Sequence, residues 1–135
     1  MFEKIFEKYP FFRVIPGVLM MAILFRLSAS PTTGAGWLVP PFDKIAHGTA
    51  YAVLAFCLSL WWNQAKWLKK KWLWFVVTFA IASLYGVSDE FHQSFVPGRC
   101  MDVFDWVADT IGALVGVSAY CIALVKIAKK DNLSL

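Results

Sequence analysis

The sequence predicts an all-α integral membrane bundle of four transmembrane helices. Three features carry that expectation: composition, the length of the apolar runs and the placement of the charges. Of the 135 residues, 59% are hydrophobic and 16% charged, against roughly 25% charged in ordinary soluble domains. The apolar residues come in runs that a core of this size has no room to bury, and the length suits one domain, residues 1–135. The net charge of +4 does not point to nucleic acid. Its basic residues sit in short clusters beside apolar runs, as topology signals do.

The opening MFEKIFEKYP carries acids and lacks a small-residue cleavage site before the first apolar run, so it does not read as a cleavable signal. Phe2, Ile5, Phe6 and Tyr9 recur at i, i+3, i+4 and i+7. That period fits a short amphipathic helix lying in the membrane interface; the alternative is a frayed terminus. A transmembrane helix needs about 20 mainly apolar residues. Four segments qualify: residues 11–28, 43–62, 72–88 (with an extension to His92 left open) and 103–125. The fourth is the weakest by hydropathy, because Asp105 and Asp109 lie within it.

The connection SASPTTGAGWLVPPF is rich in Gly, Pro, Ser and Thr and should be irregular. In FHQSFVPGRCM, Pro97-Gly98 is a turn signal that would fold Arg99 back toward Asp89, Glu90 or the start of the fourth span. Ala108, Gly112 and Gly116 make a row of small residues at four-residue spacing. Such a row lets helices approach closely, here within the bundle rather than between two chains. Cys57 and Cys121 fall in apolar runs and Cys100 in a loop, which is no disulfide framework.

Orientation follows from Lys and Arg. Lys4, Lys8 and Arg13, then Lys66, Lys69, Lys70 and Lys71, then Lys126, Lys129 and Lys130 all fall on one side of a four-span chain. Both termini should therefore be cytoplasmic. Trp61, Trp62, Trp67, Trp72 and Trp74 flank the lysine-rich loop as an aromatic belt would. The outer side holds only Arg26, Lys44 and Arg99 among the bases, with Asp43, Asp89, Glu90, Asp102, Asp105 and Asp109 and both histidines, His47 and His92.

Residues three or four apart share a helix face. Asp43, His47 and Tyr51 make one such stripe, Tyr85, Asp89 and His92 a second, and Asp102, Asp105 and Asp109 a third. At 1.5 Å per residue, Asp109 lies about 10 Å below Asp102. An ionisable residue at that depth is costly and normally faces the bundle interior or a watery cavity.

DKIAHGTAYAVLA, SDEFHQSFVPGR and DVFDWVADTIGALVG, in that order and with those apolar flanks, resemble the successive motifs of the VanZ-like membrane proteins over residues 43–116. The resemblance implies a small multi-span protein of the bacterial cell membrane and envelope, in a family whose founding member is associated with glycopeptide-antibiotic resistance. It places the family's polar positions on Asp43, Lys44, His47, Tyr51, Asp89, Glu90, His92, Gln93, Pro97, Gly98, Arg99 and Asp105. One departure is visible: many relatives carry Asn where this chain has Asp109.

These residues support an outward-facing polar pocket that acts on or binds an anionic envelope or lipid-linked ligand. His47, Asp89, Glu90, His92 and Asp105 are the candidates for general acid–base chemistry, with the carboxylates orienting the histidines. Lys44 and Arg99, with Gln93, Tyr51 and Asp43, are the candidates for holding substrate, Arg99 as a bidentate anion clamp. His47, Glu90, His92 and Asp105 could also hold a divalent metal through N and O ligands, although no fixed spacing such as H-E-x-x-H marks one. Two alternatives are a binding or shielding module without turnover and a charge network that locks the helix ends. Two histidines and six acids against three bases favour a functional site. A channel ranks last, because the cytoplasmic halves of the later spans are almost wholly apolar.

Overall fold

The computed structural model describes residues 2–31 and 41–130. Among them there is no strand, and helices account for nearly every residue. Helix α1 (Phe2–Lys8) leads through a 3-10 turn (Pro10–Arg13) into α2 (Ile15–Ser28). Then follow α3 (Phe42–Ser59), the short α4 (Gln64–Lys69), α5 (Lys71–Gln93) and α6 (Val103–Lys130). The irregular connection expected after Ser28 falls largely on residues 32–40, outside the described residues.

Local chemistry explains where the helices begin and end. Pro16 stands in the first turn of α2, where its missing N–H is not needed. Asn63 caps α4 by accepting from the Lys66 amide at 2.9 Å. Asp102 does the same for α6, its Oδ1 accepting from Phe104 N at 2.8 Å. Helix α5 runs on to Gln93 and so carries the whole S-D-E-x-H-Q motif as helix.

Three segments are long and apolar enough to cross a membrane: Pro10–Ser28, Lys71–Gln93 and Val103–Lys130. Helix α3, 18 residues with Asp43, Lys44 and His47 near its start, is not among them, so length and composition support three of the four expected spans. The outer faces of the apolar helices carry large side chains with no protein partner to bury them, among them Val76, Leu84, Ile111, Val115 and Ile122. That distribution suits a lipid environment.

Helices α3 and α6 run side by side in the same direction and are the closest pair. Gly48 meets Ala108 and Gly112, and Ala52 meets Gly116. A Cβ on Gly112 would overlap the Gly48 carbonyl, and one on Gly116 the Ala52 carbonyl. The Ala108–Gly112–Gly116 row is thus a seam within the chain. One turn further along, Phe56 packs edge-on to Tyr120, and the buried Trp67 lies tilted against Tyr120 while donating Nε1–H to Ser59 O at 3.0 Å. Tyr51, Leu54, Leu58 and Val117 fill the centre.

The two ends of the bundle differ. At one, Lys66 lies over the stacked rings of Trp62 and Trp74, and cavities of about 530 and 490 Å³ are lined in part by Arg13 and Lys66 and by Lys71, Lys126 and Lys129. The acids and histidines of the three motifs gather at the other.

The seam makes a direct prediction. Gly116→Ala forces two backbones apart and should cost about 1–3 kcal/mol, whereas Ser118→Ala, at a half-buried position of the same helix whose hydroxyl returns to Leu114 O, should change little. Unfolding of the detergent-solubilised chain by heat or SDS measures both.

Candidate functional site

The site is built where the start of α3, the end of α5 and the start of α6 meet. The α5–α6 connection is shaped by a turn over Val96–Pro97–Gly98–Arg99, in which Arg99 N donates to Val96 O at 3.1 Å and Gly98 takes φ 79°. Proline at the second position and a positive φ at the third define a type II turn, and glycine is the residue that adopts it without strain.

The turn delivers Arg99 to the end of α2. Its Nε donates to Ser30 O at 3.0 Å, one terminal nitrogen to Leu27 O at 3.2 Å and the other to Gln93 Oε1 at 3.3 Å. The guanidinium therefore serves carbonyls at a helix C-terminus, where orphan acceptors and the dipole both favour a cation. Gln93 in turn lies 3.5 Å from Asp89 Oδ2, and the buried Tyr51 hydroxyl donates to the same oxygen at 3.4 Å.

Lys44 is the cation of the cluster. Its Nζ is 2.6 Å from Asp102 Oδ2, 3.5 Å from Asp43 Oδ2 and in close contact with Asp105 Oδ1. The Lys44 hydrogen bond, aided by the Phe104 amide, holds the Asp102 carboxyl below its ordinary range.

Beside Lys44 sits His47. Its Nδ1 lies 2.9 Å from Asp109 Oδ1, and its Nε2 is 3.8 Å from Asp105 Oδ2. His47 keeps 21% of its side chain exposed, while that of Asp109 is wholly buried. Glu90, 3% exposed, accepts from Asp102 N on Oε2 at 2.9 Å. One ligand atom each from His47, Glu90 and Asp109 lies within 4.8 Å of the others. Among the described residues, Glu90 Oε1 and Asp109 Oδ2 have no hydrogen-bond partner.

The VanZ/LLP1 family model matches residues 3–125. The chain belongs to the VanZ/LLP1 family. No curated protein and no solved structure matches it.

Of the residues singled out from this VanZ/LLP1 sequence, the fold gathers Asp43, Lys44, His47, Glu90 and Asp105 around one point, and links Tyr51, Asp89, Gln93 and Arg99 in a second chain beside it. His92 is in neither. Its ring stacks on Phe25 at 4.5 Å, and Nδ1 lies 3.5 Å from Ser28 Oγ, so it packs on α2. The partner of His47 is the carboxylate of Asp109. Its four-residue spacing from Asp105 and its depth were the available signals; the α2 carbonyls that take up Arg99 left none.

The depressed Asp102 carboxyl fixes a pH dependence. A folded value below the unfolded one stabilises fully above the unfolded value, and that stability is lost as pH falls through the folded value. Asp102→Asn should therefore lower the unfolding temperature at neutral pH, with the difference from wild type closing in acid.

Proposed function

We propose that the chain is a four-span protein of the bacterial cell membrane, with both termini cytoplasmic, whose outward-facing polar end acts on an anionic envelope or lipid-linked ligand through a His47–Asp109 acid–base pair. The observation that carries this reading is the half-open imidazole backed by a wholly buried carboxylate at 2.9 Å. A buried carboxylate holds one ring nitrogen and fixes the tautomer, which leaves Nε2 to exchange a proton with a group bound at the mouth of the site. Asp105, 3.8 Å from Nε2, marks that mouth. An amide at position 109, as in many relatives, would orient the ring without balancing its charge.

Helix α3 supports the fourth span. It lies along α6 from Gly48 to Phe56, so the two share the same depth. The lysine clusters support the cytoplasmic assignment of the opposite end. If the ligand is a peptidoglycan precursor, a contribution to glycopeptide-antibiotic resistance follows.

A second reading, a charge network that locks the helix ends, draws on Lys44, whose ammonium is shared among three carboxylates. Ligand binding separates the two. Polyprenyl phosphate, and not neutral polyprenol, should raise the unfolding temperature of the solubilised chain, and Lys44→Met should abolish that rise. A rise with neither compound, together with a large loss of stability in Lys44→Met, would leave the charge network as the function of the cluster.

Sidedness is tested separately. The exposed Cys100 lies in the connection before α6, and in intact cells it should react with a membrane-impermeant maleimide. Labelling seen only after the cells are opened would reverse the orientation.

A further inference from the structure

We infer that His47, Glu90 and Asp109 form a binding site for one first-row divalent cation of the zinc or manganese class. The inference rests on the reading above only for the position of the site at the mouth of a ligand pocket, and an ion on the His47 ring would replace the proton exchange proposed there.

Three observations converge. The first is distance: a ligand atom of each side chain lies within 4.8 Å of the other two. Zn–N and Zn–O bonds run at about 2.0–2.2 Å, so two donors on one ion stand at most about 4.4 Å apart, and a small inward movement of the side chains brings this set into that range. The second is the state of the donors. Glu90 Oε1 and Asp109 Oδ2 are buried without a hydrogen-bond partner, in residues 3% and 0% exposed. A carboxylate oxygen in that state costs free energy unless a proton or a cation completes it. Their sister oxygens are already engaged, Glu90 Oε2 by the Asp102 amide and Asp109 Oδ1 by His47. The third is space. Gly86 faces Asp109, and a Cβ there would come within 3.3 Å of Oδ2. Glycine at that place keeps a side chain away from the free oxygen.

Charge points the same way. Lys44 is taken by Asp43, Asp102 and Asp105, and Arg99 by Gln93 and two carbonyls. Among the described residues, neither Glu90 nor Asp109 forms a salt bridge with Lys or Arg, and His47 is the single basic partner of Asp109. A divalent cation would supply the missing positive charge. One imidazole and two carboxylates suit zinc or manganese better than calcium, which takes six to eight oxygens. Three protein ligands leave coordination positions for water or for an oxygen of an anionic head group, the open arrangement of catalytic rather than structural sites. An acidic site could then attract an anion, since the ion would reverse the local sign.

The test titrates Zn2+ and Mn2+ separately into the chelator-treated full-length chain in detergent. A Cys100→Ser background removes the exposed thiol, and bound metal is counted after gel filtration. One equivalent of at least one metal should bind, and Glu90→Gln and Asp109→Asn should each weaken it by about tenfold or more. Binding of neither metal, or equal binding in both variants, overturns the inference. Should a variant fail to fold, the Co2+ form of the unvaried site decides: a spectrum of nitrogen and oxygen ligation supports it, and a thiolate charge-transfer band, placing the ion on cysteine, overturns it. No lipid enters this experiment. Loss of metal binding with the polyprenyl phosphate response intact would sink the cation site alone, and the converse would sink the ligand reading alone.

Discussion

The register between α3 and α6 determines everything at the polar end. Two parallel helices touch where Gly48 faces Gly112 and Ala52 faces Gly116, so closely that a methyl group on either α6 glycine would strike a carbonyl. Small residues give a bilayer protein this contact, because apolar side chains gain nothing by leaving lipid for each other. The contact also fixes what lies one turn above it. Lys44 falls opposite Asp105, and His47 opposite Asp109. A slip of one residue would turn these side chains by about 100° and scatter the cluster. The glycines thus act on the charges without touching them.

That placement sets an electrostatic problem that the fold solves only in part. Charges near hydrocarbon are costly and persist where they are paired or functional. Lys44 shares its ammonium among three carboxylates, and Arg99 is spent on the end of α2. What remains is a pair of buried acids, Glu90 and Asp109, each with one oxygen unmatched. A network selected for stability alone would do better with amides or apolar residues of the same size.

The helices were legible because their signals are local. Apolar runs and the Pro97-Gly98 turn each act within a few residues, and the turn stands where it was expected. The site was legible in part. Stripes at three- and four-residue spacing put Asp105 and Asp109 on one face of α6, and in the fold both lie beside His47. His92 misled for a geometric reason. It stands two residues from Glu90, about 200° around α5, so one cannot face α6 without the other facing away. The sequence shows that both sides of α5 are polar but not which neighbour each side meets. Arg99 raised the same difficulty, since its partners are backbone carbonyls of α2, which carry no sequence signature.

Helix α3 shows how averaged hydropathy treats a helix that carries a site. Its polar end holds Asp43, Lys44 and His47, and that keeps it out of the set of apolar helices. Yet its surface divides sharply. Lys44, His47 and Tyr51 turn toward α5 and α6, whereas Phe42, Ile45 and Val53 are exposed on the other side. Thr49, also exposed, returns its hydroxyl to Ile45 O at 2.7 Å and presents little but a methyl group. Eighteen residues measure about 27 Å, close to the roughly 30 Å of a hydrocarbon core. A helix that hides its polar groups against its neighbours meets the bilayer's demand on the face that matters, and averaging over the whole circumference conceals it. The residues that weaken α3 as an apolar segment are the ones that build the site, so the two properties trade against each other along a single helix.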